Sequence, residues 1–258
     1  VEAAFFDLDK TVIARSSMMA FAPALYRAGL LRRRNLLQGA ASQLVYLRWG
    51  AGPRRVARMQ KSVLSVTCGW EQAQVRRLVG AGMHDAVDPI IYAEAVTLIA
   101  EHRDAGRRIV LVSAAPEELV EPIGERIGVD TVIASRVSLD ERGRYNGNLE
   151  RYAYGRAKAD LVEDLALREG IDLENSWAYS DSITDLPMLE AVGHPVAVNP
   201  DRALRRVALL RGWELSRFEL RTDPDAGRSR PRTFRRQSAL AAATTATVLT
   251  AWWVRRRP

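Results

Sequence analysis

The sequence predicts an α/β fold: a Rossmann-like, mainly parallel sheet with helices on both faces, plus an inserted all-helical segment and a C-terminal tail. Two observations carry this. Short apolar runs (A-A-F-F, R-I-V-L-V, T-V-I-A-S, S-W-A-Y and P-V-A-V-N) alternate with helical patterns along the 258-residue chain, as the crossovers of a parallel sheet require. Between the first run and the second, residues 16–83 show only the helical period.

The elements follow in order. Residues 3–6 read as a buried strand. From Ser16 onward, S-S-M-M-A-F-A-P-A-L-Y-R-A-G, L-L-R-R-R-N-L-L-Q-G-A-A-S-Q-L-V-Y-L-R-W, P-R-R-V-A-R-M-Q-K-S-V-L-S-V and W-E-Q-A-Q-V-R-R-L-V each repeat apolar residues at helical spacing. Gly29, Gly52 and Gly69 punctuate their ends. The stretch D-P-I-I-Y-A-E-A-V-T-L-I-A-E-H-R-D-A-G is a helix with Pro at its start and Gly at its end. Strand R-I-V-L-V, a helix near Glu117–Ile127 and strand T-V-I-A-S come next, then a hairpin turning at Glu141–Gly143. Helix Arg156–Arg168, strand S-W-A-Y, helix Thr184–Ala191 and strand P-V-A-V-N complete the series. The expected division is a Rossmann-like core of residues 1–15 and 88–220, a helical insert of 16–87, and a tail of 221–258.

Charge narrows the function classes once it is located. The net charge is +7, but the tail alone holds nine arginines against Asp223 and Asp225. The body is therefore neutral and offers no electrostatic reason to expect nucleic acid. Cys68 is the single cysteine, which excludes an internal disulfide and fits a cytoplasmic location. In the tail, the Arg-, Pro- and Gly-rich linker is expected to be disordered. Residues 238–254 then run without charge, with Trp252 and Trp253 beside arginines. That segment reads either as an interfacial membrane anchor or as a helix packed on the body, being somewhat short for a full span.

Ligands of parallel sheets gather at the C-terminal strand ends, and the unusual polar residues fall there. Asp7 and Asp9 follow the first strand in F-F-D-L-D-K-T, and Ser113 follows R-I-V-L-V. Ser180 and Asp181 follow S-W-A-Y, with Asp185 four residues on. Lys158, near the start of a helix, is one of three lysines beside 35 arginines. Lys and Arg are not interchangeable, so a lysine kept in such a chain is informative. Taken singly, each has a bland reading as a cap, a turn former or a solvated charge. Together they form a candidate site.

Three carboxylates with one lysine suit Mg²⁺, which takes oxygen ligands and is typically held by few carboxylates, waters and a substrate phosphate. His84, His102 and His194 are scattered and provide no zinc cluster. With a phosphate ester bound, one aspartate can attack phosphorus to form an aspartyl-phosphate. Asp9 can protonate the leaving alcohol and then deprotonate water. Lys158 and the Ser113 hydroxyl can neutralise and hydrogen-bond the phosphoryl oxygens.

The chain resembles the haloacid dehalogenase superfamily of phosphatases, in the subclass containing phosphoserine phosphatase (subclass IB). F-F-D-L-D-K-T matches the first motif, V-S-A the second, Lys158 the third and Y-S-D-S-I-T-D-L-P-M-L-E the fourth, over about residues 1–215. The resemblance implies Asp7 as nucleophile, Asp9 as acid/base with its backbone carbonyl also on the metal, and Asp181 as the third protein ligand. It implies that Asp185 supports Lys158 or a metal-bound water, with Ser182 beside it, and that the insert is a cap. Substrate contacts are expected from Thr11, Ser16, Ser113, Lys158 and, for a carboxylate, a cap arginine, Arg58 or its neighbours Arg54 and Arg55. One departure bears on the substrate: the glutamate expected nine residues after the nucleophile to pair with an ammonium is Ser16 here. The expected function is a Mg²⁺-dependent phosphomonoester phosphatase, either of phosphoserine or of another small or phospholipid-related phosphomonoester. A non-catalytic membrane- or nucleic-acid-binding module is the alternative from a different class, and the intact Asp7, Asp9, Lys158 and Asp181 argue against it.

Overall fold

The computed structural model describes residues 1–31 and 53–219, with side chains from Gln60 onward in the helix that begins at Pro53. The expected second helix of the insert, the side chain of Arg58 and the tail lie outside the described residues.

Strand β1 (Ala3–Asp7) is buried along its whole length and lies at the centre of the sheet. Around it stand β2 (Arg108–Pro116), β3 (Thr131–Leu139), β4 (Tyr145–Arg151), β5 (Trp177–Ser180), β6 (His194–Val198) and β7 (Glu214–Ser216). The order is β4-β3-β2-β1-β5-β6-β7, parallel except for the antiparallel β3–β4 hairpin. A strand buried on both faces must be apolar at every position, which is why A-A-F-F shows no alternation. The two faces divide by strand period. Ala4, Phe6, Ile109 and Leu111 enter one core, while Ala3, Phe5, Val110 and Val112 enter the other. Phe5 and Phe6 are fully buried, each a contribution of about 1.5–3 kcal/mol. Phe6 stacks on Tyr179 at 4.6 Å, and the Tyr179 hydroxyl meets His102 Nε2 at 2.7 Å. The buried histidine is thus a core residue satisfied by a partner.

Helices cover both faces. α1 (Ser17–Arg27), α2 (Pro53–Thr67) and α3 (Gln72–Ala86) form the described part of the insert, and no strand interrupts them among the described residues. They are followed by α4 (Ala93–Asp104), α5 (Glu117–Ile127) and α6 (Arg156–Glu169). α7 (Leu186–Glu190) and α8 (Arg202–Arg211) complete the set. Two expectations shift. The helix read over 184–191 is a 3₁₀ turn at Ile183–Asp185 continued by the short α7, because Pro187 fits only the first turn of a helix. The series also continues past P-V-A-V-N. α8 starts at an Asp201 cap whose carboxylate accepts from Leu204 N at 2.8 Å, and β7 adds a seventh strand. Five arginines between 202 and 217 and a strand of three residues hid both from an apolar pattern.

Gly193, just before β6, fits a crowded crossing. A Cβ there would lie 1.7 Å from the Glu174 carbonyl oxygen. No helix among the described residues is long and apolar enough to cross a membrane.

Candidate active site

Register decides what meets at the sheet edge. Asp7 pairs with Val112 and Phe6 with Tyr179, so Ser113 and Ser180 stand one step beyond the neighbouring ladders, level with the end of β1. The loops that follow these strands carry Asp9 and Asp181. Lys158 comes from α6, which packs on the Phe5 side of the sheet, and its long stem reaches the edge through the core.

The Lys158 ammonium, 1% exposed, is the hub. It donates to Asp7 Oδ1 at 2.6 Å and to Asp185 Oδ2 at 2.7 Å. Asp185 Oδ2 also accepts from the Ser180 hydroxyl at 2.7 Å. Burial by itself would lower the lysine pKa, but Asp185 and Asp7 outweigh it and hold the ammonium charged. Asp7 has the opposite balance. Its removal from water, with the Asp185 and Asp181 carboxylates adding repulsion, pushes it well above the carboxylate range against the pull of Lys158. Thr11, fully buried, donates to the other Asp7 oxygen at 3.3 Å.

The Asp9 side chain faces the insert. Its Oδ1 accepts from Ser17 N at 2.8 Å, at the first residue of α1, while Ser16 holds the N-cap position. Burial raises the Asp9 carboxyl above its usual value, and hydrogen bonding from Ser17 and Ser16 opposes it. The expected grouping of the Asp7, Asp9 and Asp181 carboxylates as metal ligands is therefore not seen among the described residues. Among the described residues no three carboxylate, imidazole or thiol side chains are grouped as a metal cluster. Asp9 is drawn to an orphan N–H at a helix start, a preferred partner for a carboxylate.

Asp181 directly follows β5, the strand paired with β1. Burial, with Asp185 and Asp201 adding to it against the pull of Lys10, pushes its carboxyl up to about 7. Lys10 Nζ stands 3.9 Å from Asp181 Oδ2, and its backbone is left-handed at φ 66°. Ser113 is buried and its hydroxyl accepts from Ala115 N at 3.2 Å. Ser182 caps the 3₁₀ turn that carries Asp185, its hydroxyl 3.0 Å from that of Thr184.

The edge thus brings together Asp7, Thr11, Lys158, Asp181 and Asp185, with Ser113 beside Asp7 by register and Asp9 on the insert side. Two residues escaped the sequence reading. Lys10 was visible as a second rare lysine inside F-F-D-L-D-K-T. Asp201 accepts from Ile183 N at 3.0 Å and donates its own N–H to Asp181 O at 2.7 Å, clamping the Asp181 loop. Nothing in P-D-R-A-L beyond a helix cap announced that.

The donor set is hard: carboxylate oxygens of Asp7 and Asp181, with the Asp181 charge helping to raise the proton affinity of Asp7. A divalent cation of the Mg²⁺ type fits such oxygens, and a thiol- or imidazole-seeking metal does not.

Comparison with known proteins gives a consistent family. Residues 4–190 match the model of the haloacid dehalogenase-like hydrolases. The chain is 51% identical over 216 residues to an "inhibition of morphological differentiation protein" of Streptomyces azureus, covering 84% of this chain and 78% of that one. It is 46% identical over 250 residues to a Mycobacterium tuberculosis protein named a probable phosphatase, covering 95% and 83%. A phosphoserine phosphatase of the same organism is 33% identical over 220 residues, covering 84% and 71%. A crystal structure of a Bordetella pertussis protein of unknown function superposes with a TM-score of 0.73 at 28% identity, covering 83% and 97%.

Proposed function

The chain belongs to the haloacid dehalogenase-like hydrolases, in their phosphoserine phosphatase-like branch, and on that premise we propose a Mg²⁺-dependent phosphatase of small phosphomonoesters that works through an aspartyl-phosphate on Asp7. The observation that carries it is the Lys158 ammonium held 2.6 Å from Asp7 and 2.7 Å from Asp185 at the strand edge. A buried cation beside a nucleophilic carboxylate suits a reaction whose transition state spreads negative charge over phosphoryl oxygens.

The Asp7 and Asp181 carboxylates and the Asp9 backbone carbonyl would hold the cation. When bound, it offsets their repulsion and the charge of the substrate phosphate. An Asp7 oxygen attacks phosphorus as the P–O bond to the alcohol breaks. Asp9 gives its proton to the departing oxygen, then takes one from the water that attacks phosphorus and frees Asp7 and inorganic phosphate. Lys158 and Ser113 bind the phosphoryl oxygens. Thr11 orients Asp7, and Asp185 positions Lys158. The insert, residues 16–87, is the cap over a core of 1–15 and 88–220. Arg58 is retained as a carboxylate-binding candidate from sequence alone.

Ser16 bears on the substrate. A neutral hydroxyl cannot give an ammonium the charge-assisted bond that a carboxylate gives. The substrate class is therefore phosphomonoesters without a strict demand for an amine, with phosphoserine among them. Two measurements test the proposal. Asp7→Asn should abolish phosphate release from p-nitrophenyl phosphate, and excess chelator should do the same to the wild type; activity surviving either change rejects the mechanism. Phosphoserine and its analogue lacking the amine should show similar kcat/KM; strong preference for phosphoserine rejects the reading of Ser16.

A further inference from the structure

Lys10 is out of place twice over, by residue type and by backbone. The chain has three lysines beside 35 arginines, and this one stands between Asp9 and Thr11. Its backbone is left-handed, at φ 66°, in a tight loop closed by Lys10 N to Ile13 O at 2.7 Å and Val12 N to Leu8 O at 2.9 Å. Glycine adopts that conformation as readily as any other, and asparagine and aspartate follow it. A lysine there costs stability that a glycine would not, so the loop gives no reason of its own for the residue. The side chain has to supply one.

That side chain faces Asp181. The ammonium stands 3.9 Å from Asp181 Oδ2, reaching from the loop after β1 to the loop after β5. Among the described residues this is the ion pair that Asp181 makes. Of the charges acting on Asp181, Lys10 exerts the strongest pull, ahead of Lys158. Lys158 is bound to Asp7 at 2.6 Å and to Asp185 at 2.7 Å. The two lysines thus divide the carboxylates of the edge between them. The Asp181 side chain is only 10% exposed, and a carboxylate so far removed from water needs a countercharge. Lys10, its side chain 39% exposed, supplies it from the rim.

One carboxylate cannot serve two cations equally well. A lysine ammonium is a compact point charge. At 3.9 Å from Asp181 it lies inside the Debye length, about 8–10 Å, of any ion that this oxygen holds, and it repels that ion. We infer that Lys10 is an internal counterion of Asp181 that competes with the divalent cation, so that the same charge steadies the edge without the cation and weakens its binding. This rests on the cation site proposed for Asp7 and Asp181. The two effects are linked: the better the edge is compensated without the cation, the less the cation adds to stability.

The test is a calorimetric titration of Mg²⁺ into the full chain, stripped with chelator and dialysed, as wild type, Lys10→Met and Lys10→Gly. Glycine also fits the left-handed backbone, so it separates charge from conformation and keeps the test standing should Lys10→Met fail to fold. Both variants should bind Mg²⁺ about three- to tenfold more tightly than wild type. Loss of a merely structural lysine would loosen the loop and weaken binding instead. Melts read the linkage separately. In chelator Lys10→Met should melt below wild type, and saturating Mg²⁺ should raise its Tm by more than it raises that of wild type. Equal or weaker Mg²⁺ binding in the variants overturns the inference, and leaves the proposed function standing where wild type binds Mg²⁺ and loses p-nitrophenyl phosphate turnover in chelator. Turnover that survives chelator counts against the proposed function, and the comparison of Mg²⁺ affinities still decides the role of Lys10. Failure of all three proteins to bind Mg²⁺ overturns both.

Discussion

Asp185→Asn tests the hub of the site with little change of shape. Asp185 Oδ2 receives the Lys158 ammonium and the Ser180 hydroxyl, each at 2.7 Å. The amide oxygen can still accept both bonds, and Lys158 keeps Asp7 at 2.6 Å. What disappears is the second countercharge of a fully buried cation. Removing a whole partner from a buried pair costs about 3–5 kcal/mol, and a hydrogen bond to a charged group contributes about 1.5–3 kcal/mol. With geometry retained, a loss of about 2–3 kcal/mol follows from the lower ends of those ranges. At about 2–4 °C per kcal/mol for a chain of this size, Tm should fall by about 4–12 °C. Catalysis should suffer separately. An ammonium no longer centred between two carboxylates relaxes onto Asp7 and away from the phosphoryl oxygens, so kcat/KM should drop about tenfold or more. Circular dichroism melts and steady-state kinetics on p-nitrophenyl phosphate read the two effects. A midpoint within about 1 °C of wild type together with unchanged kcat/KM would refute the claim that Asp185 positions Lys158.

Other expectations rest on different parts of the molecule. Asp9→Asn should slow alkyl phosphate hydrolysis by about 10²–10⁴-fold, the usual span of general acid–base catalysis, and should slow the first step on p-nitrophenyl phosphate less. Equal losses in single-turnover measurements would remove Asp9 from the acid role. Gly193→Ala should destabilise by about 1–3 kcal/mol or more, because the new methyl meets a backbone oxygen that moves only with its loop; a urea midpoint equal to wild type contradicts that packing. Asp88 is bound by Arg126 at 3.0 Å and by His84 at 3.1 Å, and against burial these partners hold its carboxyl below the ordinary 3.8. Its folded pKa is depressed, so the stability it adds is complete above that ordinary value and is lost as pH falls through the lowered one. Asp88→Asn should flatten the acid limb of the stability profile over that window, and melts across the acid range would show an unchanged limb if the reading is wrong.

The sequence by itself determined the sheet as far as β6 and most of the edge. A-A-F-F, R-I-V-L-V and S-W-A-Y are apolar at every position because strands covered on both faces see no water, and that pattern needs no partner to be legible. The polar residues directly after them, Asp7, Ser113 and Asp181, were legible for the same reason: a carboxylate next to a buried run has to be at its end. The rarity of lysine marked Lys158, and its 2.6 Å contact with Asp7 follows from a stem long enough to cross the core from α6. Tertiary structure alone decided which way side chains turn at that edge. Asp9 turns to Ser17 N because α1 happens to start there, and no spacing rule encodes an orphan amide eight residues on. Asp201 reaches Ile183 N because the turn after β6 lies beside the turn after β5, a neighbour relation set by strand order. The backbone pairing of Gly69 and Trp70 with Tyr145 is of the same kind. Backbone hydrogen bonds leave no composition signal, so a contact made of them becomes visible only when the chain has folded.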